Sequence, residues 1–503
     1  MNSMSHKTKY NKLDDKMAYT GNNNNLHVVF LPLFAKSHMI PLVQVARLFA
    51  ARGVRSTIIT TIHNEQIFKN DVDRDIADGY PIAVNTNLTF PASEVGLPVG
   101  VENSNDGSVI NVEYRAAVYR GMMMLQSDME RVIRDLAPDC IISDMFFPWT
   151  VDLAEELKIP RLLFYPNCLF FHSIVHSLKA YAPDADDVES FIVPNLPDEF
   201  TLKKSQVSDE SRLSTSLGQT IETIHQSEKR SFGIIYHTFY EMEPAYVDHM
   251  RKVKGDKIWP IGPLFQFFRN EDCKTDGSSA ERHDSLSWLD NQKQKSVIYV
   301  CFGSIGILPK AHVTEIALAL EESKQPFLWV HRKHPGDEHI NPFPDGFEER
   351  IKKENKGLVI TSWAPQVEIL QHPSILVFFS HCGWGSVLEA VVSGVPLVTY
   401  PLFADQLYIE KLVVEILKIG VGVGVEVWNS SSVKITSPVI GKGSIIEAFE
   451  KFTSGSSIAE TITNNLKEIT KKSKQAVEEG GSSFNNLTAL IEKLKAVKFS
   501  QKT

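Results

Sequence analysis

Residues 363–406 read WAPQVEILQHPSILVFFSHCGWGSVLEAVVSGVPLVTYPLFADQ, and this stretch decides how the rest of the chain is read. Residues 375–379 form a continuous apolar run, the pattern of a strand covered on both faces. His381 lies where that strand ends. Gly383 and Gly385 allow backbone to approach a ligand closely. Ser386 is expected to open a helix, and Glu389 three residues on matches a capping box. Free N–H groups at such a helix start, beside a cationic or hydrogen-bonding His, suit a phosphate. In open α/β sheets, ligands sit outside the carboxyl ends of the strands, where these residues fall.

Outward from this stretch the same architecture repeats. Residues 26–31 read as a buried strand and 32–37 as a loop. A helix follows, with Leu42, Val45, Ala46, Phe49 and Ala50 on one face. Residues 54–61 form a second strand rich in β-branched side chains. Strand signals recur at residues 140–143, 161–165, 234–237 and 296–302, with helical patterns between them, so the expected class is α/β with parallel sheets. Gly303 and Ser304 occupy a turn between a strand and a helix around residues 312–322. Residues 420–424 (GVGVG) are flanked by β-type residues and no helix start, so they do not read as a nucleotide loop.

The chain has 503 residues, enough for two ordinary domains. Its 43% hydrophobic and 22% charged residues are those of a soluble globular protein. A net charge of −9 without a basic patch argues against nucleic acid. No apolar run reaches the roughly 18 residues of a membrane span. Residues 1–25 are polar and lack the apolar middle of a signal peptide, so a disordered tail is expected. The five cysteines are scattered, without metal-type spacing, which fits a reducing, cytoplasmic setting.

Residues 363–406 resemble the signature box of the plant family 1 UDP-sugar-dependent glycosyltransferases. That box is 44 residues long, as here, begins W-A-P-Q, carries H-C-G-W and ends D-Q. The resemblance implies a GT-B fold, with two Rossmann-like, doubly wound domains facing a cleft. It divides the chain into an acceptor-binding domain (26–263), a linker (264–285), a UDP-sugar-binding domain (286–480) and a C-terminal helix (481–503) returning to the first domain. It implies that Trp363 stacks on uracil, with the Ala364 backbone on the base edge. Gln366 and Glu389 would hold the ribose. His381, Ser386 and Ser304 would lie at the phosphates, and Trp384, Asp405 and Gln406 would line the sugar pocket. A terminal Gln goes with UDP-glucose in that family, and Gln406 can both donate to and accept from sugar hydroxyls. The UDP-sugar is a co-substrate; no cofactor or metal is implied, and the expected state is a monomer.

Residues 32–41 resemble the same family's P-x-x-x-x-G-H-x-x-P, which makes His38 the candidate base. At a helix N-terminus the dipole disfavours imidazolium, so a neutral ring is expected. Asp144, in the S-D-M-F-F sequence, is its candidate orienting acid. The implied reaction is a single inverting displacement giving a β-O-glucoside. The expected acceptor is a triterpenoid or steroidal sapogenin, with a flavonoid or hormone hydroxyl as the alternative. Met122, Met123, Met124, Phe146, Phe147, Phe170 and Phe171 are candidate apolar walls. Two positions depart from the family pattern. Ser37 replaces a Gly, and Gly385 replaces the Asn that usually follows the Trp. They motivate a reading of another class, an inactive ligand-binding homologue.

Overall fold

A computed structural model describes residues 25–106, 112–181, 189–211, 214–268, 283–304, 306, 308–332, 341–431, 435–453 and 455–500. Most of the expected tail, residues 269–282 of the expected linker, Cys273 and Ile305 lie outside the described residues. The first half builds strands β1 (His27–Leu31), β2 (Arg55–Thr61), β3 (Ile82–Leu88), β4 (Cys140–Asp144), β5 (Arg161–Tyr165), β6 (Ser190–Ile192), β7 (Thr201–Lys203), β8 (Gly233–Tyr236) and β9 (Ile258–Pro260). The second half builds β10 (Val297–Cys301), β11 (Phe327–Val330), β12 (Gly357–Ile360), β13 (Ile375–Ser380), β14 (Leu397–Thr399) and β15 (Gly420–Gly422).

Seven of these pair in the order β3-β2-β1-β4-β5-β8-β9 and six in the order β12-β11-β10-β13-β14-β15. Every pairing within the two sheets is parallel; β6 and β7 form a separate antiparallel hairpin. The central strands β1, β4, β5, β10 and β11 are buried along their whole length. That is why their sequences are continuous apolar runs rather than alternations.

Each sheet reverses its strand order once, and the reversal makes a crevice at the strand ends. In the first sheet it falls between β1 and β4, whose last partners are Leu31 and Ser143. In the second it falls between β10 and β13, whose last partners are Cys301 and Ser380. Residues that follow these four strands therefore sit at two switch points.

One buried apolar cluster spans both sheets, joining Tyr165, Phe171 and Tyr236 to Trp384 and Tyr408. Phe171 and Tyr408 meet with ring centroids 5.9 Å apart. The helix Ser482–Ser500 buries Leu487, Leu490, Ile491 and Leu494 in the core of the first sheet. Ser483 Oγ donates to the Gly262 carbonyl at 2.5 Å, and Asn486 Nδ2 to the Pro260 carbonyl at 2.9 Å.

Two helix starts differ from the sequence expectation. The helix after β1 is Lys36–Ala50, so Lys36, Ser37 and His38 are helical rather than loop. Ser37 is absent from the positive-φ residues, so a side chain at this position carries no backbone strain. The helix after β13 is Trp384–Ser393, with Gly383 at its N-cap and no side-chain cap. Ser386 is thus the third helical residue, and the capping box does not form.

Candidate active site

At the first switch point the His38 Nδ1 lies 2.8 Å from Asp144 Oδ2. The other carboxylate oxygen, Oδ1, accepts the Phe146 N–H at 3.1 Å, which fixes the carboxylate plane. A carboxylate on Nδ1 sets the tautomer: Nδ1 carries the proton and Nε2 is left as the acceptor. Asp144 is fully buried, while His38 keeps a 20% exposed side chain. Burial lowers the imidazole's proton affinity, but Asp144, by charge and hydrogen bond, and then Asp405 outweigh it, so the pKa is raised above the ordinary 6.5. The helix dipole was expected to lower the ring's proton affinity; the net direction is the opposite. Two carboxylates dominate, and one comes from the other half of the chain.

That second carboxylate, Asp405, is half-buried, and desolvation pushes its pKa up to about 6, opposed by Asn167 and His38. It follows Ala404, which adopts φ +55, a left-handed conformation costing a non-glycine residue about 1–2 kcal/mol. Gln406 Oε1 accepts the Leu402 and Phe403 N–H groups at 2.9 and 3.1 Å. Its acceptor is therefore committed to the turn. Only its Nε2 is left for a ligand, which corrects the expectation that Gln406 both donates and accepts.

At the second switch point two turns meet around His381. A Cβ built on Gly303 or on Gly383 would lie 2.5 Å from the His381 Nε2. Gly303 also has φ +77. These glycines make room for the imidazole itself, rather than for a ligand as first expected of Gly383. Burial pushes the His381 pKa down to about 4, so the ring is neutral and not cationic. Its Nδ1 is buried without a hydrogen-bond partner.

Gln366 draws three of the expected donor residues together. Its Nε2 donates to Ser386 Oγ at 3.0 Å and to Glu389 Oε2 at 2.6 Å, while Tyr299 Oη donates to its Oε1 at 3.2 Å. Burial raises the Glu389 pKa to about 7, with Gln366 opposing. Trp363 is 66% exposed, an unusual state for so large an apolar ring. The His283 ring stands edge-on to it at 6.3 Å, and His283 Nε2 is 3.2 Å from the Trp363 carbonyl. Ala364 packs half-buried against the cluster shared by the two sheets. A Cβ at Gly385 would meet nothing within 4 Å.

Trp384 behaves otherwise than expected. It is buried, and its Nε1 donates to the His237 carbonyl at 2.6 Å, so its polar edge ties the two halves together. Ser304 Oγ likewise accepts from Asn105 Nδ2 of the first half at 2.6 Å, while Asn105 Oδ1 accepts the Lys36 N–H at 2.7 Å. Asn105 thus joins the start of the His38 helix to the Gly303-Ser304 turn. Sequence reading missed it, because its partners are 69 and 199 residues away.

Of the expected apolar walls, Met122, Phe147, Phe170 and Phe171 are core. Phe146 lies 5.9 Å from the His38 ring, and Tyr119 packs edge-on against it. Tyr119, Met123 and Met124, with Glu94, Val95 and Arg120, line a cavity of about 440 Å³. No group of three or more His, Cys, Asp or Glu residues among the described residues is placed to hold a metal. None of the described helices is long and apolar enough to cross a membrane.

Comparison with known proteins places this geometry in a family. Residues 124–437 match the model of UDP-glucoronosyl and UDP-glucosyl transferases. The solanidine UDP-glucose glucosyltransferase 1 of Solanum tuberosum is 44% identical over 495 residues, 95% of this chain and 99% of that protein. The nuatigenin 3-beta-glucosyltransferase of Solanum aculeatissimum is 44% identical over 487 residues, covering 94% and 98%. The crystal structure of a Glycyrrhiza uralensis UGT complexed with glycyrrhetinic acid 3-O-monoglucuronide superposes with a TM-score of 0.86 at 34% identity, covering 95% of this chain and 97% of that one. The chain belongs to the UDP-glucuronosyl and UDP-glucosyl transferases: it is a plant family 1 UDP-glycosyltransferase of GT-B fold that uses a UDP-sugar as its co-substrate.

Proposed function

We propose that this enzyme transfers glucose from UDP-glucose to a hydroxyl of a hydrophobic plant metabolite, a steroidal or triterpenoid sapogenin, with inversion to a β-O-glucoside. The observation that carries the reading is the His38–Asp144 pair, 2.8 Å apart, within electrostatic reach of Asp405 from the donor side. The acceptor O–H gives its proton to His38 Nε2. The oxygen attacks the anomeric carbon as the bond from that carbon to the UDP oxygen breaks. Asp144 holds the ring and stabilises the imidazolium that forms.

On the donor side, Trp363 offers an exposed face for uracil, with the Ala364 backbone at the base edge. Gln366 and Glu389 hold the ribose. The diphosphate lies at the helix start of Trp384–Ser393, where a Cβ at Gly385 would meet only open space, beside Ser386, His381 and Ser304. Asp405 and the Gln406 Nε2 take the sugar hydroxyls. Trp384 closes this region from below rather than offering a donor to the sugar. The expected linker start at residue 264 is too early: Leu264 and Phe268 are buried in the core of the first sheet, which supports a division after residue 268, with the helix Ser482–Ser500 returning to the first domain.

The acceptor assignment draws on what the solanidine and nuatigenin enzymes act on, and on the adaptable Met123 and Met124 beside Tyr119. The test is an acceptor screen with purified protein and UDP-glucose, reading UDP release. Steroidal sapogenins should give the highest kcat/KM. Planar flavonols far ahead of any sapogenin would overturn the acceptor and leave the enzyme class standing.

A further inference from the structure

The turn at residues 402–406 carries Asp405 and Gln406 on a backbone that side chains rarely adopt, with Ala404 at φ +55. Gln406 braces it from within. From the other side it is held by two residues beyond residue 406. Trp428 Nε1 donates to the Ala404 carbonyl at 2.7 Å. The Ala404 N–H donates to the Asn429 carbonyl at 2.9 Å, and Asn429 Nδ2 donates to the Leu402 carbonyl at 2.9 Å. Asn429 is buried, and its Oδ1 accepts both the Thr436 N–H at 2.8 Å and the Thr436 hydroxyl at 2.9 Å. Those bonds fix which end of the amide faces Leu402.

Trp428 is itself anchored to the first half of the chain. Its backbone N–H donates to the Ser205 carbonyl at 2.9 Å. Beside it, Lys203 pairs with Glu426 at 2.7 Å, and Ser205 Oγ donates to the Glu426 carbonyl at 2.8 Å. Its ring packs against two apolar clusters, the one shared by both sheets and the one under the second sheet.

We propose that Trp428 and Asn429 are positioning residues for sugar recognition. They hold Ala404 in its left-handed conformation, so that the Asp405 carboxyl and the Gln406 Nε2 face the sugar together, and they join that turn to residues 203–206. Because Trp428 bonds to the turn and not to any phosphate-side residue, its effect should fall on the sugar and spare the nucleotide. The inference rests on the reading that Asp405 and Gln406 contact the sugar.

The variant W428F keeps an aromatic ring and removes the indole N–H. KM for UDP-glucose should rise about tenfold, the worth of one buried hydrogen bond. Inhibition by UDP should stay within about twofold, and the preference for UDP-glucose over UDP-galactose should shrink. Adding A404G to W428F should restore part of the loss, since glycine takes the left-handed conformation without a clamp. W428F with the parent KM and donor preference overturns the inference. So does a matching loss of UDP and UDP-glucose binding, which would mark a general prop of the nucleotide site. Q406A separates the two levels. If Q406A leaves donor KM and preference unchanged, the sugar-site reading itself fails. If Q406A changes them and W428F does not, the inference alone fails.

Discussion

His38 shows what a motif can and cannot say about one residue. Its place after β1 and its pairing with Asp144 were legible, because strand-end residues in a doubly wound sheet converge on one crevice. Its proton affinity was not, because Asp405 approaches from 367 residues further along the chain. A base works in its neutral form, which is populated above its pKa. Activity should therefore rise with pH through a midpoint above the ordinary 6.5. In Asp144→Asn the raising charge of Asp144 is removed and burial is left to dominate, so that midpoint should move to lower pH as the rate falls. Alcohol acceptors should suffer more than phenols, whose protons leave more readily. A kcat/KM–pH profile that keeps its acid limb in D144N contradicts this pairing. Gly385 gives a second residue-scale prediction. A Cβ there meets nothing within 4 Å, so Gly385→Asn should fit and tighten UDP-glucose binding through a new amide donor. A several-fold lower KM is expected; an unchanged or higher KM means the amide finds no partner.

The elements were largely readable because buried parallel strands declare themselves as apolar runs, and β5 was expected over its observed span, Arg161–Tyr165. Helix starts were not. Ser386 and Glu389 carry a capping pattern, yet the helix begins at Trp384 and both side chains bond to Gln366 instead. The signal was genuine and its cause was different: the spacing places both side chains on Gln366 and does not form a cap. The same stretch hid why its glycines are there. Gly303 and Gly383 come from turns after different strands, and both leave room for one imidazole. Gly383 has φ −59, so Gly383→Ala imposes no backbone strain and acts only by displacing His381. KM for UDP-glucose should rise at least about tenfold, as for loss of a charge-assisted phosphate contact, while the circular dichroism spectrum stays unchanged. A variant with normal donor KM removes His381 from the donor site.

Across the whole molecule, the alternation of strands and helices followed from local patterns, but the strand order within each sheet and the contacts between the halves did not. Asn105–Ser304 and Trp384–His237 join residues 199 and 147 positions apart, and no local periodicity signals such pairs. Carboxyls in both halves also have their proton affinity raised by burial. Burial raises the pKa of Glu389 to about 7 and of Glu410 to about 8, and Glu243 in the first half to about 7. Between the ordinary 4.5 and these values the folded chain holds protons that the unfolded chain has lost, so stability should fall as pH rises through this window. Glu410→Gln removes one such group, so its Tm relative to the parent should improve from pH 5 to about pH 8 and level off above it; a constant difference across that window refutes a raised Glu410 pKa. The central claim is that two domains meet so that a His38 base faces a sugar held by the donor box. It is tested most directly by the turnover of UDP-glucose with a sapogenin in His38→Ala beside the parent enzyme. The account predicts a fall of at least about 10²-fold in kcat, with unchanged UDP binding and an unchanged Tm. Near-parent turnover in H38A would contradict it.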